Sequence, residues 1–171
     1  MIRLAEVSDV DAIMTIVDQA QQALAALGID QWQDGYPSRE VIVGDIARKV
    51  GYVATEGDIV IGYAAIVLTG EEAYNQIEAN KWNTANDYVV VHRICVSSSV
   101  RRSGVAIGLM QHAATLARKH SFSAFRIDTH RGNIRMLAML RKLGFKPTGV
   151  IHYDSGERIA YDLDLSSSEI L

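Results

Sequence analysis

The chain has little cysteine, little proline and no long hydrophobic run. Cys95 is the single cysteine among 171 residues, and one cysteine cannot form an internal disulfide. Because Cys95 lies in an apolar segment, we predict a buried, unreactive thiol in a reducing compartment. No apolar segment approaches the roughly 20 residues that cross a bilayer, and residues 1–6 fit a strand better than a signal peptide. The sequence therefore predicts a cytoplasmic protein without a membrane partner.

The chain also lacks a strong excess of either charge. It has 17 basic and 20 acidic residues, which give a net charge of −3 at pH 7. Nucleic-acid-binding domains generally carry a basic excess, so we expect no nucleic-acid partner. A small negative charge is compatible with a cationic, amine-bearing substrate. We predict no metal site, because no His-Glu-x-x-His motif is present and no ligand spacing connects the five histidines.

The hydrophobic pattern alternates between strand and helix periods along what we predict to be a single domain over residues 1–171. Strands are predicted at residues 1–6, 52–56, 59–68, 88–96, 124–129, 146–152 and 158–165. Helices are predicted to begin at Ser8-x-x-Asp11 and at Ser38, and to cover residues 104–119 and 133–143. Hairpins at both ends of this order indicate an α/β (α+β) sandwich around a mostly antiparallel sheet.

The most informative segment is Val100–Leu109, which opens a helical pattern directly after the buried strand 88–96. The first N–H groups of a helix have no internal partners, and the helix dipole favours negative charge at that end. Gly104 and Ala106 would let the backbone approach a phosphate closely. Arg101 and Arg102 would add charged donors. The segment predicts a phosphate-bearing ligand, with a solvated turn as the alternative.

Two segments of the chain carry motifs with a distinctive spacing: Ile94-x-Val96 followed by Arg101-x-x-Gly104-x-Ala106, and the segment from Asn133 to Leu143-Gly144-Phe145. The first resembles the acyl-coenzyme A loop of the GNAT superfamily of N-acetyltransferases. The second resembles the later segment of that family, in which an asparagine opens a helix that ends in Leu-Gly-Phe. The two segments flank the predicted strand 124–129, as in the family. The element order is similar from residue 1 to about residue 165.

The resemblance implies a fold, a cofactor and a reaction. The fold is a mixed, mostly antiparallel sheet of six to seven strands, flanked by helices on both faces, with a splay between two central parallel strands. The reaction is transfer of an acetyl group from acetyl-coenzyme A (acetyl-CoA) to the primary amine of a small molecule or peptide. The strand backbone would hold pantetheine, the loop amides would hold the pyrophosphate, and the helix-opening asparagine would reach pantetheine or cap its own helix. The implied cofactor-binding residues are Ile94, Cys95, Val96, Arg101, Arg102, Ser103, Gly104, Val105, Ala106 and Asn133.

This chemistry needs a base, because an alkyl amine with a pKa near ~10 must lose a proton before it attacks a carbonyl. His92 and His130 are the candidate bases, each at an end of the implied splay, and Asp128 is a third candidate. His92 shares strand parity with Ile94, so a core histidine that bonds to a neighbour is the alternative. His130 follows a strand end, where loops often carry site residues.

One position departs from the family pattern. Family members usually carry a tyrosine five residues before the phenylalanine of Gly-Phe, where it protonates the leaving sulfur, but this chain has Leu140. Tyr153, Tyr161 or water would have to supply the proton. The departure also motivates a second hypothesis, in which the chain is a non-catalytic acyl-CoA sensor or regulatory module.

The acceptor side is predicted from one loop. Trp32, Gln33 and Tyr36 lie between the first two helices, where the family builds much of its acceptor pocket. Exposed loop aromatics suit ligand binding, whereas a Trp32 that fills the core is the alternative. The resemblance also suggests a homodimer.

Overall fold

A computed structural model describes residues 1–79, 81–84, 87–100 and 103–166. The strands are β1 (Ile2–Leu4), β2 (Gly51–Glu56), β3 (Ile59–Val67), β4 (Tyr88–Val96), β5 (Ala124–Thr129), β6 (Lys146–Tyr153) and β7 (Gly156–Asp164). The α-helices are α1 (Val10–Ala25), α2 (Arg39–Ala47), α3 (Val105–Lys119) and α4 (Ile134–Lys142). The strands form one seven-stranded sheet in the order β1-β2-β3-β4-β5-β7-β6. The predicted mixed, mostly antiparallel fold is confirmed.

Helix boundaries follow from local side-chain caps. The Ser38 hydroxyl accepts a hydrogen bond from the Val41 N–H at the start of α2, as predicted. The predicted start of the first helix is wrong, because a capping box between Glu6 and Asp9 opens a single 3₁₀ turn before α1 begins at Val10. The Asp9 carboxylate accepts the Glu6 N–H in this box and also accepts a hydrogen bond from the Arg3 guanidinium.

The chain divides into two compact units. The first comprises Met1–Ile66 and Val91–His112, and the second comprises Val67–Val90 and Ala113–Leu171. Both β4 and α3 contribute residues to each unit. The single domain over residues 1–171 stays a prediction.

The first unit has its own core, in which Ile13 and Val17 of α1 and Ile42 of α2 pack against the sheet. Cys95 belongs to this core and is 6% exposed. Burial raises the pKa of its thiol to about 12, so the predicted buried thiol is confirmed. Gly62 of β3 lets α3 lie close, since a Cβ there would stand 2.9 Å from Val105 Cγ1.

The second unit is built on the antiparallel strands β5, β7 and β6. Its parallel ladder pairs Tyr88–Val90 of β4 with Ala124–Arg126 of β5, which confirms the predicted parallel pair. Between β3 and β4, the described residues contain a 3₁₀ turn at Glu72–Gln76, and Glu78 forms a β-bridge with Val150. None of the helices in the described part of the chain has the length and apolarity that a membrane span requires.

Candidate active site

The first unit contains the strand end that the sequence assigns to pantetheine. Ile94, Cys95 and Val96 are the last three residues of β4. The Cys95 side chain is buried, whereas the side chains of Ile94 and Val96 are half-buried. The next residue, Ser97, donates its N–H to the Ile61 carbonyl of β3 at 2.9 Å. The end of β4 is therefore held against β3, and the chain continues from it toward the start of α3.

The loop before α3 has a backbone shape that depends on glycine. Gly104 has φ +85°, in the left-handed region that side chains disfavour. Its carbonyl accepts the N–H of Gly108 at 2.9 Å, so the helical hydrogen bonds begin there. The N–H groups of Val105 and Ala106 therefore belong to the first turn, which has no internal acceptors for them.

Ser103 completes the described part of this loop. Its N–H donates to the Val100 carbonyl at 3.2 Å, and its hydroxyl donates to the same carbonyl. The Ser103 N–H is therefore used inside the loop, and the start of α3 that follows is the kind of helix end at which anions are favoured. Anion binding by this loop stays a prediction. Arg101 and Arg102 lie outside the described residues.

Sequence reasoning missed a buried ionic cluster in the first unit. Asp45 of α2 has no solvent exposure, and its carboxylate accepts both Nε of Arg93 at 2.7 Å and Nη2 of Arg93 at 2.9 Å. The Tyr63 hydroxyl donates to Asp45 at 2.7 Å, and Arg48 donates at 2.8 Å. The sequence contained a signal for this cluster. Asp45 and Arg93 each lie in an apolar segment, and charged residues in such segments are seldom buried unless they are paired.

The electrostatics of this cluster keep Arg93 charged and Tyr63 neutral. Burial by itself lowers the pKa of Arg93, but Tyr36 and Asp45 beside it raise that pKa above its usual value. Burial, followed by the Asp45 charge, raises the pKa of Tyr63 as well. Arg93 is therefore a cation and Tyr63 a neutral donor to the carboxylate.

The predicted acceptor loop reaches this cluster. The Tyr36 hydroxyl accepts a hydrogen bond from Nη1 of Arg93 at 2.6 Å, and the side chain is 38% exposed. Trp32 packs against the first unit's core and forms an edge contact with the Tyr36 ring. Gln33 holds the loop by donating to the Gln21 carbonyl at 3.0 Å. The structure therefore brings Tyr36 to Arg93 of β4, while Trp32 serves packing.

Asp128, in the second unit, is held by two phenols. Its Oδ2 accepts the hydroxyl of Tyr74 at 2.8 Å and the hydroxyl of Tyr153 at 2.9 Å. Burial raises the pKa of Tyr74 well above its ordinary value, and the Asp128 charge raises it further. Tyr74 therefore stays a neutral donor, and the two phenols orient the carboxylate on β5.

His130 and Asn133 share the loop that leads into α4. The Nδ1 atom of His130 accepts the Gly132 N–H at 3.0 Å, so the proton of the neutral ring resides on Nε2. Asn133 caps α4, because its Oδ1 accepts the Met136 N–H at 3.3 Å. This cap is one of the two roles that the sequence left open for Asn133.

The remaining predicted groups are less suited to proton transfer. The Nε2 atom of His92 is shielded from solvent in the first unit. Leu140 has no solvent exposure and forms part of the α4 packing face, so the usual tyrosine position is apolar. Among the described residues, no group of three or more His, Cys, Asp or Glu side chains could hold a metal ion.

Comparison with solved structures shows strong similarity over nearly the whole chain. A GNAT-family acetyltransferase from Streptococcus agalactiae is 37% identical, with a TM-score of 0.86 over 96% of this chain and 94% of that chain. A GNAT-family acetyltransferase from Listeria monocytogenes is 19% identical, with a TM-score of 0.71 over 96% and 94%. The PaiA N-acetyltransferase of Thermoplasma acidophilum, solved in complex with coenzyme A, is 16% identical, with a TM-score of 0.72 over 96% and 98%.

The sequence comparisons lead to the same family. No curated protein matches the chain. The family model described as acetyltransferase (GNAT) family matches residues 17–145, which include the β4 strand end, the Gly104 loop and the start of α4. The chain therefore belongs to the GNAT family of acetyltransferases.

Proposed function

We propose that the protein transfers an acetyl group from acetyl-CoA to the primary amine of a small molecule or peptide. The observation that carries the proposal is the joined arrangement of the β4 strand end, the left-handed Gly104 and the first turn of α3. This arrangement occurs in a member of a family of acetyltransferases. In the reaction, an N–C bond forms as the C–S bond of the thioester breaks, the amine loses a proton and the sulfur gains one.

The first unit would bind the cofactor through its backbone. The peptide groups of Ile94, Cys95 and Val96 would pair with pantetheine as an added strand would. The amides of Gly104, Val105 and Ala106 would bind the pyrophosphate, since they lie at the start of a helix of 15 residues. Ser103, whose own N–H donates to the Val100 carbonyl, would shape the loop beside them. Arg101 and Arg102 stay predicted contributors of positive charge.

The reaction also needs a base for the amine. We assign this role to Asp128, because two phenol donors orient its carboxylate and no Lys or Arg in the described ranges forms an ion pair with it. The alkylammonium group of the substrate would pair with the Asp128 carboxylate and then lose its proton to it. His130 has its proton on Nε2, which suits a donor to the acetyl oxygen or the leaving sulfur. His92 stays a third candidate.

The acyl-CoA sensor is the second candidate function, and one observation favours it. Leu140 is fully buried where the family usually has the tyrosine that protonates sulfur. Such a chain would bind acetyl-CoA without turning it over. The homodimer and the cytoplasmic location stay predictions.

Thiol release from acetyl-CoA distinguishes the two functions. The protein is mixed with acetyl-CoA and each of a panel of polyamines, aminoglycosides, amino acids and peptides, and acetylated products are identified by mass spectrometry. Calorimetry measures coenzyme A binding in parallel. Binding together with acetylation of at least one amine supports the transferase. Binding without any acetylation supports the sensor, and the absence of binding overturns both.

A further inference from the structure

We propose that Asp45 is a positioning residue for the cofactor strand, which it shapes by holding the Arg93 guanidinium. The inference rests on the proposed function, because it assumes that Ile94–Val96 bind the pantetheine arm. All of the residues involved lie in the first unit.

Arg93 has an unusual backbone conformation for its place in the fold. Its φ is +55°, in the left-handed region. The other described non-glycine residues with positive φ are Trp32, Lys49, Ala79 and Ser121, all of which lie in turns or bends. Arg93 alone among them lies within a strand, immediately before Ile94. A left-handed residue in a strand is typical of a β-bulge, which redirects the peptide groups that follow.

A non-glycine residue keeps this conformation only if its surroundings hold it there. The planar fork of Arg93 fits the Asp45 carboxylate with one nitrogen on each oxygen, which fixes both the position and the rotation of the guanidinium. Tyr63 and Arg48 occupy further acceptor sites on the same carboxylate. The Asp45 oxygens are thus fully used within the protein.

A buried ion pair of this kind contributes little net stability but can select one geometry over another. Here the selected geometry is that of the residue preceding the pantetheine-binding peptides. Small displacements of a binding element reduce rates strongly, since reacting groups must meet within a narrow range of distances. Asp45 therefore acts on cofactor binding without touching the cofactor.

The first test compares Asp45→Asn with Asp9→Asn. Asp9 also holds an arginine by two hydrogen bonds, at 2.7 and 2.9 Å, but that arginine is Arg3 of β1 and not a residue of β4. We expect both variants to unfold at a lower temperature. Only Asp45→Asn should raise the Kd for coenzyme A, by about tenfold, which corresponds to the cost of one strained residue. Equal Kd values for the two variants would overturn the proposal.

The second test uses Arg93 itself and does not depend on Asp45→Asn folding well. Arg93→Ala and Arg93→Gly both remove the guanidinium, but only glycine adopts φ +55° without penalty. If Asp45 serves to hold the backbone, Arg93→Gly should bind coenzyme A about fivefold more tightly than Arg93→Ala. Adding Asp45→Asn to Arg93→Gly should then raise Kd much less than it does in the wild type. Equal binding by the two Arg93 variants contradicts the inference.

The wild-type protein separates this inference from the proposed function. If the wild type binds coenzyme A and the variants behave alike, only the positioning role of Asp45 is wrong. If the wild type binds none, the proposed function is wrong and the inference is overturned with it.

Discussion

Each unit contains a carboxylate that accepts hydrogen bonds from phenols, but the two carboxylates have different surroundings. Asp45 in the first unit is fully buried and is paired with Arg93 and Arg48. Asp128 in the second unit is half-buried and accepts hydrogen bonds from Tyr74 and Tyr153. Phenols orient a carboxylate without cancelling its charge, whereas guanidinium groups do both.

This difference indicates different roles for the two carboxylates. A carboxylate that is neutralised by two arginines is suited to a structural role, because its charge is already balanced inside the protein. A carboxylate held by neutral donors keeps its charge for a ligand, and an ammonium group is the natural counter-ion. Asp45 is thus suited to a structural role, and Asp128 is suited to interaction with a cationic ligand.

The largest effect is expected from Asp128→Asn. Asparagine can still accept both phenol hydrogen bonds, but it can neither take a proton nor attract an ammonium group. We expect kcat to fall by at least about 100-fold, since general-base catalysis contributes about 10² to 10⁴. The Kd for coenzyme A should not change, which calorimetry checks. A variant with wild-type kcat would return the base to His130 or His92.

A smaller effect is expected from Gly104→Ala in the first unit. Apart from its chain neighbours, no heavy atom of the described residues lies within 4 Å of the added methyl group, so we attribute the effect to φ +85°. A left-handed alanine costs roughly 1–2 kcal/mol, so the Kd for coenzyme A should rise about tenfold.

Gly108→Ala is the matched control for that substitution. It adds the same methyl group four residues later, inside α3, at ordinary contact distance from Ile2 Cδ1 (3.8 Å) and without a positive φ. Coenzyme A binding by Gly108→Ala should match the wild type. If the two alanine variants bind equally, the shape of the Gly104 loop does not matter for binding.

A modest effect is expected from Tyr153→Phe, which removes one of the two donors to Asp128. Tyr74 still orients the carboxylate, so we expect kcat to fall about fivefold, the size of one lost hydrogen bond. Coenzyme A affinity should be retained. Tyr161→Phe provides the comparison, and a larger loss of kcat there would make Tyr161, not Tyr153, the important phenol of the last hairpin.

The smallest effect is expected for Asp9, to which neither of these two roles is assigned. The Arg3 hydrogen bond lowers the pKa of Asp9 below its ordinary value of 3.8. A lowered pKa stabilises the fold above pH 3.8, and this contribution is lost as the pH falls below that value. The melting temperature of the wild type should therefore fall more steeply with acid than that of Asp9→Asn. If the melting temperatures of the two proteins fall equally with pH, the Arg3–Asp9 pair adds no stability.

Part of the first unit's local structure could be predicted from the sequence. Ser38 caps α2 and Cys95 is buried, as the sequence predicts. The predicted cap at Ser8 was wrong. Glu6, two residues earlier, forms a capping box with Asp9 instead. Where two local caps compete, the sequence alone does not rank them.

The sequence by itself determined the order of strands and helices, the loop that opens α3 and the family to which the chain belongs. These features depend on residues within a few positions of one another, so local geometry and periodicity suffice. Only the tertiary structure decided that Arg93 joins Asp45 and that Tyr74 orients Asp128, pairs separated by 48 and 54 positions along the chain. Such partners are chosen by the packing of distant elements, where burial forces each charge and each hydroxyl to find whichever polar group the fold brings close.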